Sequence, residues 1–349
     1  MSKLQIGLAI AGVLLLAGLV VHGAWTARRN QPRLAEPEAP PIEPHGLGEF
    51  PHEPAASALA GRADEDGLLL PALQDRKAQL DPLIDVSAAI ELEHPVSGEA
   101  LLQHLPATRR VGSKPYAIEG LDEATGTWEP PQPGRRYSAL QAGVQLANRA
   151  GALNEIEYSE FVVKTQSLAD AVGGTPEFPD MRDAVARARE LDAFASEHDA
   201  QLSVTLRARQ TAWSAGYVQQ NAARLGFVAG VLPGRMVLPA SVGGQPPVLG
   251  LQYDAQAALA EDPAQTAIRD MTLSLDVAQV ARSEQPYVRL REAAKRLAEV
   301  MDGLITDDNG QPLSSDAMDL IGAELENLYD RLDEHELSAG SPLARRLFS

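Results

Sequence analysis

LIDVSAAIEL at Leu83–Leu92 alternates apolar and polar side chains, the pattern of a strand that buries one face and wets the other. LSVTLRA at Leu202–Ala208 does the same. Each is followed by a stretch of helical spacing, Gly98–Leu105 after the first and Ala215–Leu225 after the second. Further strands are expected at Pro115–Leu121, Ser138–Ala147, Arg235–Pro239, Val248–Tyr253 and Met271–Val280. Apolar residues three or four apart mark three longer helices. One carries Val185, Ala188, Leu191 and Ala195, and another Leu290, Ala294, Leu297 and Met301. The last carries Met318, Ile321, Leu325, Leu328 and Leu332.

The order of these elements repeats, once near 83–200 and again near 202–337. At one constant offset Val144, Arg149, Pro179, Asp183 and Ala184 recur as Val277, Arg282, Pro312, Asp316 and Ala317. The expected fold class is therefore α+β, with a domain at 82–200 duplicated in tandem at 201–337 and a tail at 338–349, the alternative being one large mixed domain. Trp128–Pro133 holds three prolines. Proline cannot donate to an interior ladder, so this part of the first copy should be a loop or an edge.

Ahead of both copies stands Leu4–Val21 (LQIGLAIAGVLLLAGLVV), an uncharged run of 18 residues. As a helix it would span roughly 27 Å, close to a bilayer's hydrocarbon thickness. A transmembrane anchor is expected over 1–27, with Trp25 at the interface. The alternative, a cleaved signal peptide, fits less well, because only Lys3 precedes the run and no small-x-small site follows. Arg28, Arg29 and Arg33 come directly after it, which by the positive-inside rule sets the N-terminus outside and the body in the cytoplasm. Residues 28–81 are acidic and Pro-rich at their start, and read as an extended linker.

The chain of 349 residues carries 30 Lys+Arg against 48 Asp+Glu, a net charge of -18. That balance repels phosphate backbones, so no nucleic-acid partner is expected. With no Cys, disulfides, thiolate catalysis and thiolate metal sites are excluded. No nucleophile elbow, phosphate loop, dinucleotide fingerprint or HExxH occurs, so neither catalysis, cofactor, metal nor small-molecule substrate is expected. Asp307-Asp308-Asn309-Gly310 has the look of a calcium loop, but Ile305 and Asp316 would fall at its first and last ligand positions. It reads better as turn chemistry.

LVVHGAWTARRN at Leu19–Asn30 resembles the anchor junction of the ZipA family of bacterial division proteins, through His22-Gly23 and Trp25-Thr26. Ala223–Ala229 (ARLGFVA), Pro247–Tyr253, Met271–Val277, LAEVMDG before Leu304-Ile305, and Asp307–Leu320 are similar to successive passages of that family's C-terminal domain. The resemblance implies a split β-α-β domain and an adaptor, not an enzyme, that tethers FtsZ polymers to the cytoplasmic membrane during septum assembly. It implies that the FtsZ C-terminal tail lies in an apolar groove on the open sheet face. Val237, Val248, Gly250, Thr272 and Ser274 would border that groove, with Met236, Leu238, Leu249, Leu251, Leu273 and Leu275 on the core side. Several of the groove positions are small or polar where the family has bulky apolar residues. Leu4, Val21, Trp25, Arg28 and Arg29 would serve the anchor. Other readings of the sequence are a membrane-anchored scaffold with a different protein partner, and an anchored enzyme whose site is assembled from dispersed residues.

Overall fold

The computed structural model describes residues 32–35, 80–262 and 266–349. They divide into an N-terminal unit, residues 80–198 with 346–349, and a C-terminal unit, residues 199–345 with 32–35.

The N-terminal unit begins with β1 (Asp85–Ser97), α1 (Gly98–His104), β2 (Arg110–Val111) and β3 (Lys114–Asp122). It continues with β4 (Trp128–Glu129), β5 (Arg136–Gln145) and a hairpin of β6 (Ala147–Asn148) with β7 (Gly151–Ala152). α2 (Glu155–Val172), β8 (Gly174–Glu177) and α3 (Met181–His198) complete it. The antiparallel sheet runs β2-β3-β5-β1-β8, with β4 added to β3. Alternation decides its faces. Val86, Ile90, Leu140, Val144 and Tyr116 point to one side and pack with Tyr158, Phe161 and Leu168 of α2 and Ala184 and Ala188 of α3. Phe161 meets the rings of Tyr116, Tyr158 and Phe178 edge-on. Asn154 and Glu157 form a capping box that starts α2, and Gly173, at φ 68°, turns its end into β8. The proline-rich stretch supplies only the two-residue β4 before it leaves the sheet.

The C-terminal unit has β9 (Gln201–Ala208), α4 (Ala215–Ala223), β10 (Val228–Ala229), β11 (Arg235–Leu238) and β12 (Leu249–Tyr253). After these come α5 (Ala255–Leu259), β13 (Asp270–Asp276), α6 (Pro286–Met301), β14 (Gly303–Thr306) and α7 (Ser315–Glu334). A last helix, α8, covers Pro342–Leu347. The sheet order is β10-β11-β12-β13-β9-β14, all antiparallel. Its helix side holds Met236, Leu238, Leu249, Leu251, Leu273 and Leu275, together with Leu290, Ala294 and Leu297 of α6, all buried. Trp213, fully buried, donates its indole N–H to the Met301 carbonyl at 2.8 Å and fixes the end of α6.

Strand order β3-β5-β1-β8 in one unit corresponds to β12-β13-β9-β14 in the other. Aligning the first residues of β8 and β14, so that Leu92 facing Gly174 corresponds to Ala208 facing Gly303, makes Val86 facing Val144 correspond to Leu202 facing Leu275. Val144 therefore matches Leu275, not the Val277 given by a constant sequence offset. A single offset cannot follow connections of unequal length.

The expected fold class is corrected with respect to the membrane. The structure is α+β with mixed helices and sheets, and among the described residues no helix is long and apolar enough to cross a membrane. The 20-residue α7 has the length, but it is amphipathic: Asp316, Asp319, Glu324, Glu326, Asp330 and Arg331 lie along it outside the apolar seam. The expected transmembrane helix at Leu4–Val21, with Trp25, Arg28 and Arg29, lies outside the described residues.

Within the expected linker, residues 32–35 and 80–81 are described, and both pieces pack. Arg33 bridges to Trp213, exchanges backbone hydrogen bonds with Ala212 and Ser214, and pairs with Asp302 at 3.2 Å. Leu80 and Asp81 open the turn that feeds β1. The expected tail is also structured, with Ala344, Leu347 and Phe348 buried.

A candidate partner-binding sheet face

In the C-terminal unit the side of the sheet opposite α6 is set by pairing. Val237 lies opposite Gly250, Gly250 opposite Ser274, and Ser274 opposite Ser203. The next row is Arg235, Gln252, Thr272, Thr205 and Thr306, and beyond it stand Asp270, Arg207 and Leu304. Register thus brings Val237, Gly250, Thr272 and Ser274 together on one face. It does not bring Val248, which is only 1% exposed. β12 begins at Leu249, so the alternation that would put Val248 beside Gly250 stops short of it.

The chemistry of this face is mainly hydroxylic. Thr205 and Thr272 hydroxyls lie 3.4 Å apart, Ser203 donates to the Asp308 carboxylate, and Thr306 donates to the Thr205 carbonyl at 3.2 Å. Arg207 and Asp270 form an exposed ion pair at 3.1 Å. A Cβ at Gly250 would come 2.6 Å from Ser274 Oγ, so a larger residue there would have to turn the serine hydroxyl aside. The apolar part is at the β10 end, where Val237 pairs with exposed Val228 and the turn that follows exposes Val231 and Leu232. This edge was missed from sequence because β10 is too short for alternation to register. The hint was in the glycines: Gly234, at φ 73°, leaves no room for a Cβ against the Tyr253 carbonyl and so marks a tight turn.

On the helix side, Leu202, Val204, Leu290, Ala294, Met318 and Ile321 line an apolar cavity of about 110 Å³. A larger open groove, about 730 Å³, runs between α6 and α7 past Tyr287, Arg291, Lys295 and Tyr329. Among the described residues no group of three His, Asp or Glu side chains could hold a metal ion.

The N-terminal unit contains one arrangement with the residue types of a nucleophilic site. Ser113 Oγ accepts from Lys114 Nζ at 2.7 Å and donates to Glu157 Oε1 at 2.8 Å, while Lys114 also donates to Asn148 at 3.0 Å. Burial pushes the Lys114 ammonium below its ordinary pKa. Burial pulls the Glu157 carboxyl upward, but the N–H and O–H of Ser113, the Asn154 N–H and the Lys114 charge outweigh it and hold it low. Lys114 and Glu157 are thus joined through the Ser113 hydroxyl. The network ties the hairpin tip at Gly112 to the first turn of α2, and Ser113 is engaged on both sides.

In comparisons with known proteins, the chain matches no family model and no curated protein.

Proposed function

We propose that this protein is a division adaptor that holds FtsZ at the bacterial cytoplasmic membrane, with the C-terminal unit binding the FtsZ C-terminal tail. The observation that carries the reading is the shared face of Val237, Gly250, Thr272 and Ser274, on a unit whose sequence resembles the ZipA family at Ala223–Ala229 and Met271–Val277. An adaptor of this kind acts by confinement, since attachment to a surface raises its partner's local concentration. The body is placed on the cytoplasmic side of that membrane. The test is fluorescence anisotropy with a labelled FtsZ tail peptide. Gly250→Leu should weaken binding at least tenfold while Glu324→Lys, on α7, leaves it unchanged. Equal binding by both variants, or capture of FtsZ regardless of its tail, rules the proposal out.

One observation favours a second reading, a membrane-attached scaffold with another protein partner. Ser203, Thr205, Thr272 and Ser274 make this face hydroxylic, which suits a polar segment better than an apolar one. Retention of a partner other than FtsZ, lost with Gly250→Leu, would select it.

A further inference from the structure

Among the described residues, the N-terminal unit also has a sheet face on which no helix packs. Ser87, Gly143 and Ala117 form one row of it, Ala89, Gln141 and Glu119 the next, and Glu91, Ala139 and Leu121 a third. Small residues dominate, so the floor is shallow. One point on it is covered. The Leu80 side chain rests directly on Gly143: a Cβ on that glycine would run into Leu80 Cδ2 and lie 3.0 Å from Cδ1. The Leu80 N–H donates to Glu119 Oε1 at 3.0 Å, and Gln141 Nε2 holds the other carboxylate oxygen at 2.7 Å. Glu119 is only 1% exposed although, among the described residues, no helix packs on its side of the sheet.

The corresponding row of the C-terminal unit makes the comparison. Register matches Ser87, Gly143 and Ala117 to Ser203, Ser274 and Gly250. Gly143 is buried under Leu80, whereas Ser274 is exposed. The same place in the sheet is thus filled in one unit and open in the other.

We infer that the helix-free face of the N-terminal unit is a site for an extended peptide, and that the chain occupies it with its own Leu80. The chemistry it recognises is displayed by that occupant: one aliphatic side chain seated where Gly143 has no Cβ, and one backbone N–H offered to the Glu119 carboxylate two strands across. The partner class is an extended protein segment carrying leucine or a residue of similar shape. An intramolecular contact of this kind competes at an effective concentration on the order of millimolar, so Leu80 acts as a built-in competitor for any such segment. The inference does not rest on the FtsZ reading, which concerns the other unit.

The probe is a labelled synthetic peptide with the sequence of residues 77–84, KAQLDPLI, titrated into the full chain. Leu80→Gly should bind it at least tenfold more tightly than the unaltered chain. Adding Gly143→Val to Leu80→Gly should return binding to the weak level, because the new side chain fills the leucine position. Leu80→Ala should fall between, and it carries the comparison if circular dichroism shows Leu80→Gly to be unfolded. Equal affinity of the unaltered, Leu80→Ala and Leu80→Gly chains overturns the inference. So does tight binding that survives Gly143→Val.

Discussion

Arg346 grips Asp85 with both arms of its guanidinium, Nη2 to Oδ1 at 2.6 Å and Nη1 to Oδ2 at 3.0 Å. The carboxylate lies buried at the first residue of β1, and its Oδ2 also accepts the Asp81 N–H at 2.8 Å. Removing the arginine leaves a buried charge with its main partner gone. Arg346→Ala should therefore destabilise the N-terminal unit by about 3–5 kcal/mol. Hydrogen exchange at the Val86 and Val144 amides measures it, and unchanged protection would refute the role.

The pH dependence of this unit contains two opposed contributions. Burial raises the Asp85 carboxyl above its ordinary pKa in spite of Arg346. Its contribution is complete below about pH 3.9 and is lost as pH rises through the raised value. Glu157 is held low, so its contribution is present above about pH 4.3 and is lost as pH falls through the depressed value. The stability difference between the unaltered chain and Glu157→Gln should accordingly be largest near neutrality and shrink in acid. Urea titrations at several pH values test this, and a difference constant from neutral to strongly acidic pH would contradict it.

Tyr329 is 3% exposed, and its hydroxyl finds no hydrogen-bond partner among the described residues. Burial pushes its pKa up to about 12. Arg282 lies 5.6 Å from the ring centroid, a contact phenylalanine can keep. An unpaired buried hydroxyl costs its desolvation, so Tyr329→Phe should be neutral or should raise stability by about 1 kcal/mol. A clear loss of thermal stability would mean that the hydroxyl has a partner.

Trp213 should be among the least replaceable residues of the C-terminal unit. It fills a fully buried site, its ring lies 3.5 Å from where a Cβ on Gly303 would stand, and its N–H satisfies the Met301 carbonyl. Trp213→Phe should cost about 1–3 kcal/mol through the carbonyl left unpaired, and Trp213→Ala about 3–5 kcal/mol. Denaturant melts followed by far-ultraviolet circular dichroism give both values. An equal cost for the two would mean that ring volume contributes nothing.

What the sequence determined by itself was local. A strand turns its side chains over every second residue and a helix brings them round every three or four. For that reason Met236, Leu251 and Leu273, or Leu290 and Leu297, could be assigned to a core before any partner was known. The grouping of Val237, Val248, Gly250, Thr272 and Ser274 came from the family resemblance; strand pairing puts four of them on one face and leaves out Val248, one residue before its strand begins. Tertiary structure alone decided the rest. Leu80 on Gly143, Arg33 beside Trp213, Lys114 buried with Glu157, and Arg346 on Asp85 join residues separated by anything from tens to hundreds of positions. No periodicity connects such pairs, because their meeting depends on strand order and on the path of the chain between elements. How deeply each residue is buried follows from that path and not from its identity.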